Sequence, residues 1–139
     1  MGDIQWTKVL CPVDFSEESR AALRVAADLA RRFGAELTLF HAEAPTSRLQ
    51  AATASDGQLA DWKREAERLG VTRAATATAA GEPQTAIVDL AAKGRYDLVV
   101  MGTHGRTGRD RALIGSVAEN VVRRSRVPVL VVHADWPSP

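Results

Sequence analysis

The feature that most constrains the fold is an alternation of short apolar runs with segments of helical periodicity along the whole chain. The predicted strands are Lys8 to Val13, Glu36 to Ala42, Val71 to Thr78, Asp97 to Met101 and Val127 to Val132. Because helical crossovers join such strands side by side in parallel, this order predicts an α/β fold with helices on both faces of one sheet. Alanine and threonine alternate in the third run, and this low bulk favours an edge position.

Local signals place the first two helices. Ser16 followed by two glutamates is typical of a helix start, and Gly34 is typical of a helix end. A second amphipathic helix is predicted before Gly70, with its apolar residues at helical spacing. These residues are Leu59, Trp62, Ala66 and Leu69. Between the second strand and this helix, the composition from Glu43 to Gly57 predicts a loop, in which Leu49 to Ala54 could form a helical turn.

Two further helices are predicted in the second half of the chain. Pro83 suits the first turn of a helix that ends before Gly94. Ser116 precedes the last helix, and Glu119 follows it at the spacing of a capping box. Ser116 is therefore expected either to cap this helix or to contact a ligand.

Length and composition exclude several classes of protein. A chain of 139 residues predicts one domain spanning 1–139. Its 18 basic and 17 acidic residues give a net charge of +1, which argues against charge-driven binding to nucleic acid or to a membrane surface. The one cysteine, Cys11, lies in an apolar run and is expected to be a buried hydrophobe. With no secretory signal pattern and no apolar run of membrane-spanning length, we expect a cytoplasmic protein.

The segment between the fourth strand and the last helix contains most of the chemical information. It has the form Gly102-x2-Gly105-x9-Gly115-Ser116, from a strand end to a helix start. Glycines let backbone N–H groups approach a ligand, and a helix start attracts anions. In parallel sheets, ligands bind beyond the carboxyl ends of the strands, here near Asp14, Ala42 and Gly102. The spacing is neither a Walker A loop nor GxGxxG, but the pattern favours phosphate binding over a plain turn.

Several stretches together resemble the universal stress protein family, in its ATP-binding branch, over nearly the whole chain. They are Val9 to Ser16 (VLCPVDFS), Leu37 to Ala42 (LTLFHA), Asp97 to Arg106 (DLVVMGTHGR), Gly115 to Val122 (GSVAENVV) and Val127 to Val132 (VPVLVV). The resemblance implies a doubly wound, five-stranded parallel sheet that is Rossmann-like, of the adenine nucleotide alpha hydrolase-like kind. It also implies a homodimer through Val127 to Val132, and ATP bound with Mg²⁺ or Mn²⁺ whose ligands are unknown.

The resemblance also assigns residues to the base and ribose end of the nucleotide. Asp14 would contact the ribose and adenine side, and Pro12 and Val13 would line the base pocket. Ala42 would contact adenine through its backbone, and Gly102, next to Met101, would lie by the ribose. An alternative for Asp14 is a loop acid that only caps the first helix.

A second group of residues would approach the phosphates. Gly105 and its neighbours in the same loop are assigned to them; these neighbours are His104, Arg106 and Thr107. Gly115, Ser116 and Val117 would complete the phosphate cradle at the helix start. Ala118 departs from the family, in which a hydroxyl residue is frequent there, so one phosphate contact is in doubt.

The remaining histidines and arginines favour structural roles. His41, His104 and His133 lack metal-ligand spacing, which argues against a zinc site, and His41 is expected to be structural at the end of its strand. Three arginines at the end of the last helix complement its dipole, an interpretation preferred over a nucleic-acid patch. They are Arg123, Arg124 and Arg126.

Three functions follow from the sequence and from the resemblance. The first is an ATP-binding, dimeric regulator or sensor in the stress response, with little or no ATP turnover and with protein partners that are unknown. The alternatives are a slow ATPase and a nucleotide-free interaction scaffold. No residue is assigned a catalytic role.

Overall fold

The computed structural model describes residues 4–43, 48–103 and 114–137, and it describes the side chains of its second helix from residue 56 onward. The strands are β1 (Lys8–Pro12), β2 (Glu36–Glu43), β3 (Ala74–Ala80), β4 (Leu98–Gly102) and β5 (Val129–Val132). The helices are α1 (Glu17–Phe33), α2 (Arg48–Arg68), α3 (Pro83–Lys93) and α4 (Ser116–Arg124). Across these ranges, no helix combines the length and the apolar character needed to cross a membrane.

The strands form one parallel sheet in the order β3-β2-β1-β4-β5. Residues of α1 and α2 pack on one face, and residues of α3 and α4 pack on the other. The chain therefore moves outward from β1 in one direction and returns to the far side of β1 to form β4 and β5. The predicted doubly wound, Rossmann-like α/β fold is confirmed, and so is the edge position of β3.

Strand β1 shows why its sequence is apolar at every position after Lys8. Val9 and Cys11 belong to the core on the α1 and α2 face, whereas Leu10 belongs to the core on the α3 and α4 face. All three are at most 1% exposed. Burial raises the pKa of the Cys11 thiol to about 12, so this side chain is protonated and acts as a small hydrophobe, as predicted.

Helix α1 lies close to the sheet because its buried face consists mainly of small residues. Ala22, Ala26 and Ala30 are at most 1% exposed. Ser16 is the N-cap and its hydroxyl accepts a hydrogen bond from the Ser19 N–H, while Gly34 ends the helix with a φ of 64°. Both predicted ends of this helix are confirmed.

The predicted loop from Glu43 to Gly57 is wrong from residue 48 onward, because α2 begins at Arg48. The residues that anchor this helix lie further along it: Leu59, Trp62 and Ala66 are at most 6% exposed. Once the second half of α2 is packed, each residue added before it contributes one further backbone hydrogen bond. The alanine-rich segment that begins at Arg48 therefore continues the same helix. Leu69, predicted on the apolar face, follows the end of α2 and is 38% exposed.

Two strands begin later in the sequence than predicted. Strand β3 begins at Ala74 rather than Val71, and Val71 instead fills the core between α2 and β3. Strand β5 begins at Val129 rather than Val127, where the backbone N–H and C=O of Val127 both bond to the Ser125 hydroxyl. In each case the apolar residue is buried or bonded outside the strand, a contact that residue type alone does not reveal.

Asp97 connects the amino-terminal ends of β1 and β4. Its Oδ2 accepts hydrogen bonds from the Thr7 N–H at 2.8 Å, the Thr7 hydroxyl at 3.0 Å and the Lys8 N–H at 2.9 Å. Burial alone would raise the pKa of Asp97, but these donors and the Lys8 charge together hold this pKa below its ordinary value. Asp97 therefore lies at the amino-terminal end of β4, opposite the carboxyl ends of the strands.

We expect Gly102→Ala to destabilise the fold. An added Cβ would lie 2.7 Å from the Cβ of Glu18 and 2.8 Å from its carbonyl carbon, so α1 has to shift. Overpacking of this kind costs about 1–3 kcal/mol of unfolding free energy, measurable by urea denaturation. The control is Gly57→Ala, where no atom lies within 4 Å and the helix should gain about 0.5–1 kcal/mol. Equal effects of the two changes would contradict the close packing of α1 on β4.

We expect Asp97→Asn to lower the unfolding free energy near neutral pH and to have less effect in acid. The native pKa of Asp97 lies below the ordinary 3.8, so its contribution is complete above that value and is lost as the pH falls through the native pKa. Urea denaturation of both proteins from pH 7 to pH 3 measures the difference. A difference that stays constant over this range would show that the charge of Asp97 contributes nothing.

Candidate functional site

Six of the predicted nucleotide-binding residues lie together at the carboxyl end of the sheet, where β1, β2 and β4 end. The β1 and β2 ends are joined at Pro12, which pairs with Phe40, and by the Val13 N–H, which donates to the Phe40 carbonyl at 2.8 Å. Strand β4 pairs with the other side of β1. The residues at this end of the sheet are Pro12, Val13, Asp14, Ala42, Met101 and Gly102. The crevice at the carboxyl ends of β1 and β4 is the switch point of the sheet, where the strand order reverses and where α/β proteins bind ligands.

Some of these residues also have a clear role in packing. The side chain of Met101 belongs to the core under α3 and α4, and Val117 packs half-buried against the same core. Gly102 is required by the approach of α1 at Glu18 whether or not a ligand binds. The glycine at 102 is therefore explained by the fold, and Gly115 is the more informative glycine for the site.

Asp14 is held in place by the start of α1. Its Oδ1 accepts hydrogen bonds from the Ser16 N–H at 3.0 Å and from the Ser19 hydroxyl at 2.7 Å. The same hydroxyl, on a side chain only 5% exposed, accepts a bond from the Asp14 N–H at 2.9 Å. Through these contacts Asp14 supports the start of α1, whereas the N-cap itself is Ser16. The same contacts also fix the direction of its carboxylate at this end of the sheet.

The backbone at Phe15, the residue after Asp14, has an unusual conformation. Its φ is 67°, in the left-handed region that residues with side chains rarely adopt. The ring stacks against His41 at 4.8 Å between centroids and meets Trp62 edge-on at 5.3 Å. His41 Nδ1 lies 2.9 Å from the Val13 carbonyl oxygen, so its N–H donates to that oxygen. The predicted structural role of His41 is confirmed, and this cluster holds the β1–α1 connection.

Thr103, directly after β4, connects the end of this strand to Gly115 at the start of α4. The Thr103 N–H donates to the Val132 carbonyl at 3.1 Å, and its own carbonyl accepts from the Gly115 N–H at 2.6 Å. Thr103 itself is only 2% exposed. The start of α4 is thereby held against the ends of β4 and β5. His104, Gly105, Arg106 and Thr107 lie outside the described residues, so their predicted roles stay predictions.

The capping box predicted at Ser116 is wrong. Gly115 is the N-cap of α4 without a side-chain hydrogen bond, and Ser116 is the first helical residue. Glu119 instead pairs through its side chain with Arg123, at 2.9 Å. The Ser116 hydroxyl is one position too late to cap. Among the described residues, no side chain caps this helix, so its first N–H groups are available to water or to an anion.

Sequence reasoning missed Phe15, Ser19 and Thr103 as residues that shape the site. A serine five residues after Asp14 returns to the same strand end when a helix starts at Ser16, so Ser19 could have been found. The φ of Phe15 and the two bonds of Thr103 depend on partners distant in sequence, namely Trp62, Val132 and Gly115. No local signal identifies them.

Within the described ranges, no group of three or more histidine, cysteine, aspartate or glutamate side chains is placed to hold a metal ion. The charged groups along the start of α1 are acidic, Glu17 and Glu18. The start of α4 also carries an acid in its first turn, Glu119, which is paired with Arg123. Both helix starts present the positive end of a helix dipole at this end of the sheet, with the Asp14 carboxylate on the β1 side.

We expect Ser19→Ala to destabilise the protein and Ser116→Ala to leave its stability unchanged. The first change removes a buried acceptor for the Asp14 N–H and a donor to its carboxylate, which costs about 1–3 kcal/mol. The second removes an exposed hydroxyl without a capping bond, so its effect stays within about 0.5 kcal/mol. Urea denaturation measures both. A loss near 1 kcal/mol for Ser116→Ala would instead support the capping box.

Comparison with known proteins gives one consistent result. The model of the universal stress protein family matches residues 5–133. The universal stress protein MJ0531 of Methanocaldococcus jannaschii is 35% identical over 94% of this chain and 84% of its own length.

Solved structures are similar over the same range. The structure of MJ0577, also from Methanocaldococcus jannaschii, superposes with a TM-score of 0.86, at 28% identity, over 94% of this chain and 97% of that one. A universal stress protein in complex with cAMP superposes with a TM-score of 0.77, at 30% identity, over 94% of this chain and 99% of that one. The chain described above therefore belongs to the universal stress protein family.

Proposed function

We propose that this chain is a cytoplasmic, ATP-binding regulator or sensor of the stress response, with little or no ATP turnover. The observation that carries the proposal is the junction at Thr103, where the Gly115 N–H bonds to the Thr103 carbonyl. It holds an uncapped helix start beside the switch point of a parallel sheet. The whole chain, 1–139, is proposed to act as a single domain.

The phosphates are proposed to lie against the start of α4. Backbone N–H groups in the first turn of a helix have no partner within the helix, and the dipole favours negative charge there. Gly115 carries no side chain that could satisfy them, and Ser116 and Val117 follow directly. Gly105 and its neighbours His104, Arg106 and Thr107 are proposed to complete the cradle, as the family resemblance implies.

The adenine and ribose are proposed to lie on the β1 side of the crevice at the carboxyl end of the sheet. Pro12 and Val13 are buried, apolar and at the strand end, which suits a base, and Ala42 is close by on the next strand. Asp14 is oriented by Ser19, and a carboxylate accepts hydrogen bonds from ribose hydroxyl groups or an adenine amino group. Met101 and Gly102 are proposed to lie between the base and phosphate ends.

The related structure in complex with cAMP supports an adenine nucleotide as the ligand. Extension of this ligand from cAMP to ATP rests on the two-part glycine pattern in the sequence. A divalent cation, Mg²⁺ or Mn²⁺, is proposed to enter with the triphosphate and to be held mainly by phosphate oxygens and water.

We also propose that the protein forms a homodimer through β5. This strand lies at one edge of the sheet, and its Leu130 side chain is 39% exposed. An edge strand with unpaired backbone groups and an exposed large apolar residue is suited to pairing with a second copy. The regulatory output would then depend on protein partners that recognise the nucleotide-bound dimer.

The test of the site is ATP titration by calorimetry with Mg²⁺ present, for the wild type and for Gly105→Val. We expect binding by the wild type and a loss of at least about tenfold in affinity in the variant, because a β-branched side chain both fills the space for phosphates and disfavours a positive φ. Gly57→Val, on an exposed face of α2 with no atom within 4 Å, is the matched control and should bind like the wild type.

Two further results decide between the functions. Nucleotide released from the purified, denatured protein is identified by mass, and hydrolysis of added ATP is followed over hours. Intact ATP is expected. Steady release of ADP would replace the sensor with a slow ATPase, and unchanged affinity in Gly105→Val would contradict the phosphate cradle. An absence of any nucleotide binding in the wild type would leave the interaction scaffold.

A further inference from the structure

Strand β3 forms the other edge of the sheet, and its sequence is unusual for an edge. It reads AATATAA from Ala74 to Ala80, without a charged residue or a proline. Exposed edge strands in natural proteins are commonly protected by such residues, because unpaired backbone groups act as a template for another strand. Within the described residues, no strand pairs with the outer edge of β3.

The hydrogen bonds to β2 determine which backbone groups of β3 face outward. The Arg73 carbonyl accepts from the Leu37 N–H, and the Gly81 N–H donates to the Glu43 carbonyl, each at 2.9 Å. Backbone direction alternates along a strand, so the odd-numbered residues from 73 to 81 face β2. The N–H and C=O groups that face outward belong to Ala74, Thr76, Thr78 and Ala80.

The sequence of β3 is a palindrome centred on Ala77. In an antiparallel pair of two copies with a twofold axis at Ala77, Thr76 lies opposite Thr78 of the second copy, and alanine lies opposite alanine elsewhere. The outward-facing residues then all oppose one another, which gives about eight backbone hydrogen bonds. Threonine pairs across strands are favourable, and no side chain in the strand is large enough to clash.

The residues that flank β3 add charge complementarity. Arg73 precedes the strand and Glu82 follows it, and both are exposed. In the antiparallel register, Arg73 of one copy lies beside Gly81 and Glu82 of the other, at both ends of the pair. A parallel register would instead place the two Arg73 side chains together, which is unfavourable. Arg73 also donates through Nη2 to the Gly34 carbonyl at 2.9 Å, so the flanking charges favour the antiparallel register but do not select it alone.

The face of β3 opposite α2 is also open. Ala77 and Ala79 line a trough of about 280 Å³ together with Phe40, Ala86 and Leu90. The small side chains of β3 leave this surface low beside the α3 residues Ala86 and Leu90. The troughs of two copies would join at the axis through Ala77.

We propose that β3 is a self-association edge, at which a second copy of this chain pairs in antiparallel register about Ala77. This interface is separate from the dimer proposed at β5, because the two strands lie at opposite edges of the sheet. Both interfaces are twofold, so a chain that uses both forms an open array whose length depends on concentration. The proposed β3 contact consists of backbone bonds and small side chains.

The first experiment is disulfide trapping with Ala77→Cys in the full-length chain. On the axis, the two Cα atoms would lie about 4.5 Å apart, within disulfide range. The matched control is Thr78→Cys, where the two Cα atoms would be about 8 Å apart and beyond that range. Native Cys11 is fully buried with a pKa of about 12, so it does not compete. Both variants also carry Leu130→Lys, which places a charge in the contact proposed at β5 and is expected to disfavour pairing there.

We expect Ala77→Cys to form a covalent dimer under mild oxidation about tenfold or more faster than Thr78→Cys, because disulfide formation requires this geometry. Non-reducing electrophoresis measures both rates. Equal rates in the two variants would overturn the register, since random collision does not distinguish neighbouring residues.

Sedimentation of the chain without added cysteines gives an independent measurement. Thr78→Pro removes an outward-facing N–H without removing a bond to β2, and proline is tolerated at such edge positions. We expect this variant to lose the concentration-dependent association that remains in the Leu130→Lys protein, while circular dichroism shows that it is folded. Association that is absent before the change, or that persists after it, would overturn the proposal. Neither result depends on nucleotide binding, which calorimetry tests separately.

Discussion

Strand β1 is buried on both faces and hydrogen-bonded along both edges, and the positions of the other elements depend on it. The buried length of a strand in this position cannot hold an unpaired polar side chain, so the residues from Val9 to Pro12 are all apolar. The chain leaves β1 to build β2 and β3 on one side and later returns to build β4 and β5 on the other. This reversal opens a crevice at the carboxyl end of β1. The location of the candidate site thus follows from the topology before any side chain is considered.

Residues at the carboxyl end of the sheet contribute to folding and to the candidate site at the same time. Asp14 orients the start of α1 through Ser16 and Ser19, and Gly102 allows α1 to approach β4. Contacts of this kind fix groups before a ligand arrives, which lowers the entropic cost of binding. The same overlap means that loss of binding in a variant at 14 or 102 does not separate a ligand contact from a folding defect.

The sequence predicts the order and type of the main elements because each apolar run and each helix signal is local. Prediction fails where the deciding contact is distant. The start of α2 depends on Leu59 and Trp62 packing further along the same helix, so the composition of residues 48–57 alone suggests a loop. Ser116 has the spacing of a capping box, but the bond from Gly115 to Thr103 places the helix start one residue earlier. The φ of Phe15 depends on His41 and Trp62, and neither is near it in sequence.

The two edges of the sheet are not equivalent with respect to the proposed nucleotide. The Val132 carbonyl at the end of β5 accepts a bond from Thr103, whose own carbonyl accepts from Gly115 at the start of α4. A change in the pairing of β5 therefore has a path of two hydrogen bonds to the proposed phosphate cradle. Coupling of this kind is reciprocal, so a nucleotide that favours one position of α4 would also favour one state of the β5 edge. Strand β3 instead pairs with β2 at Ala42, so its path leads to the proposed adenine end of the site and not to the phosphates. An assembly that responds to the phosphates of the nucleotide is thus expected at β5.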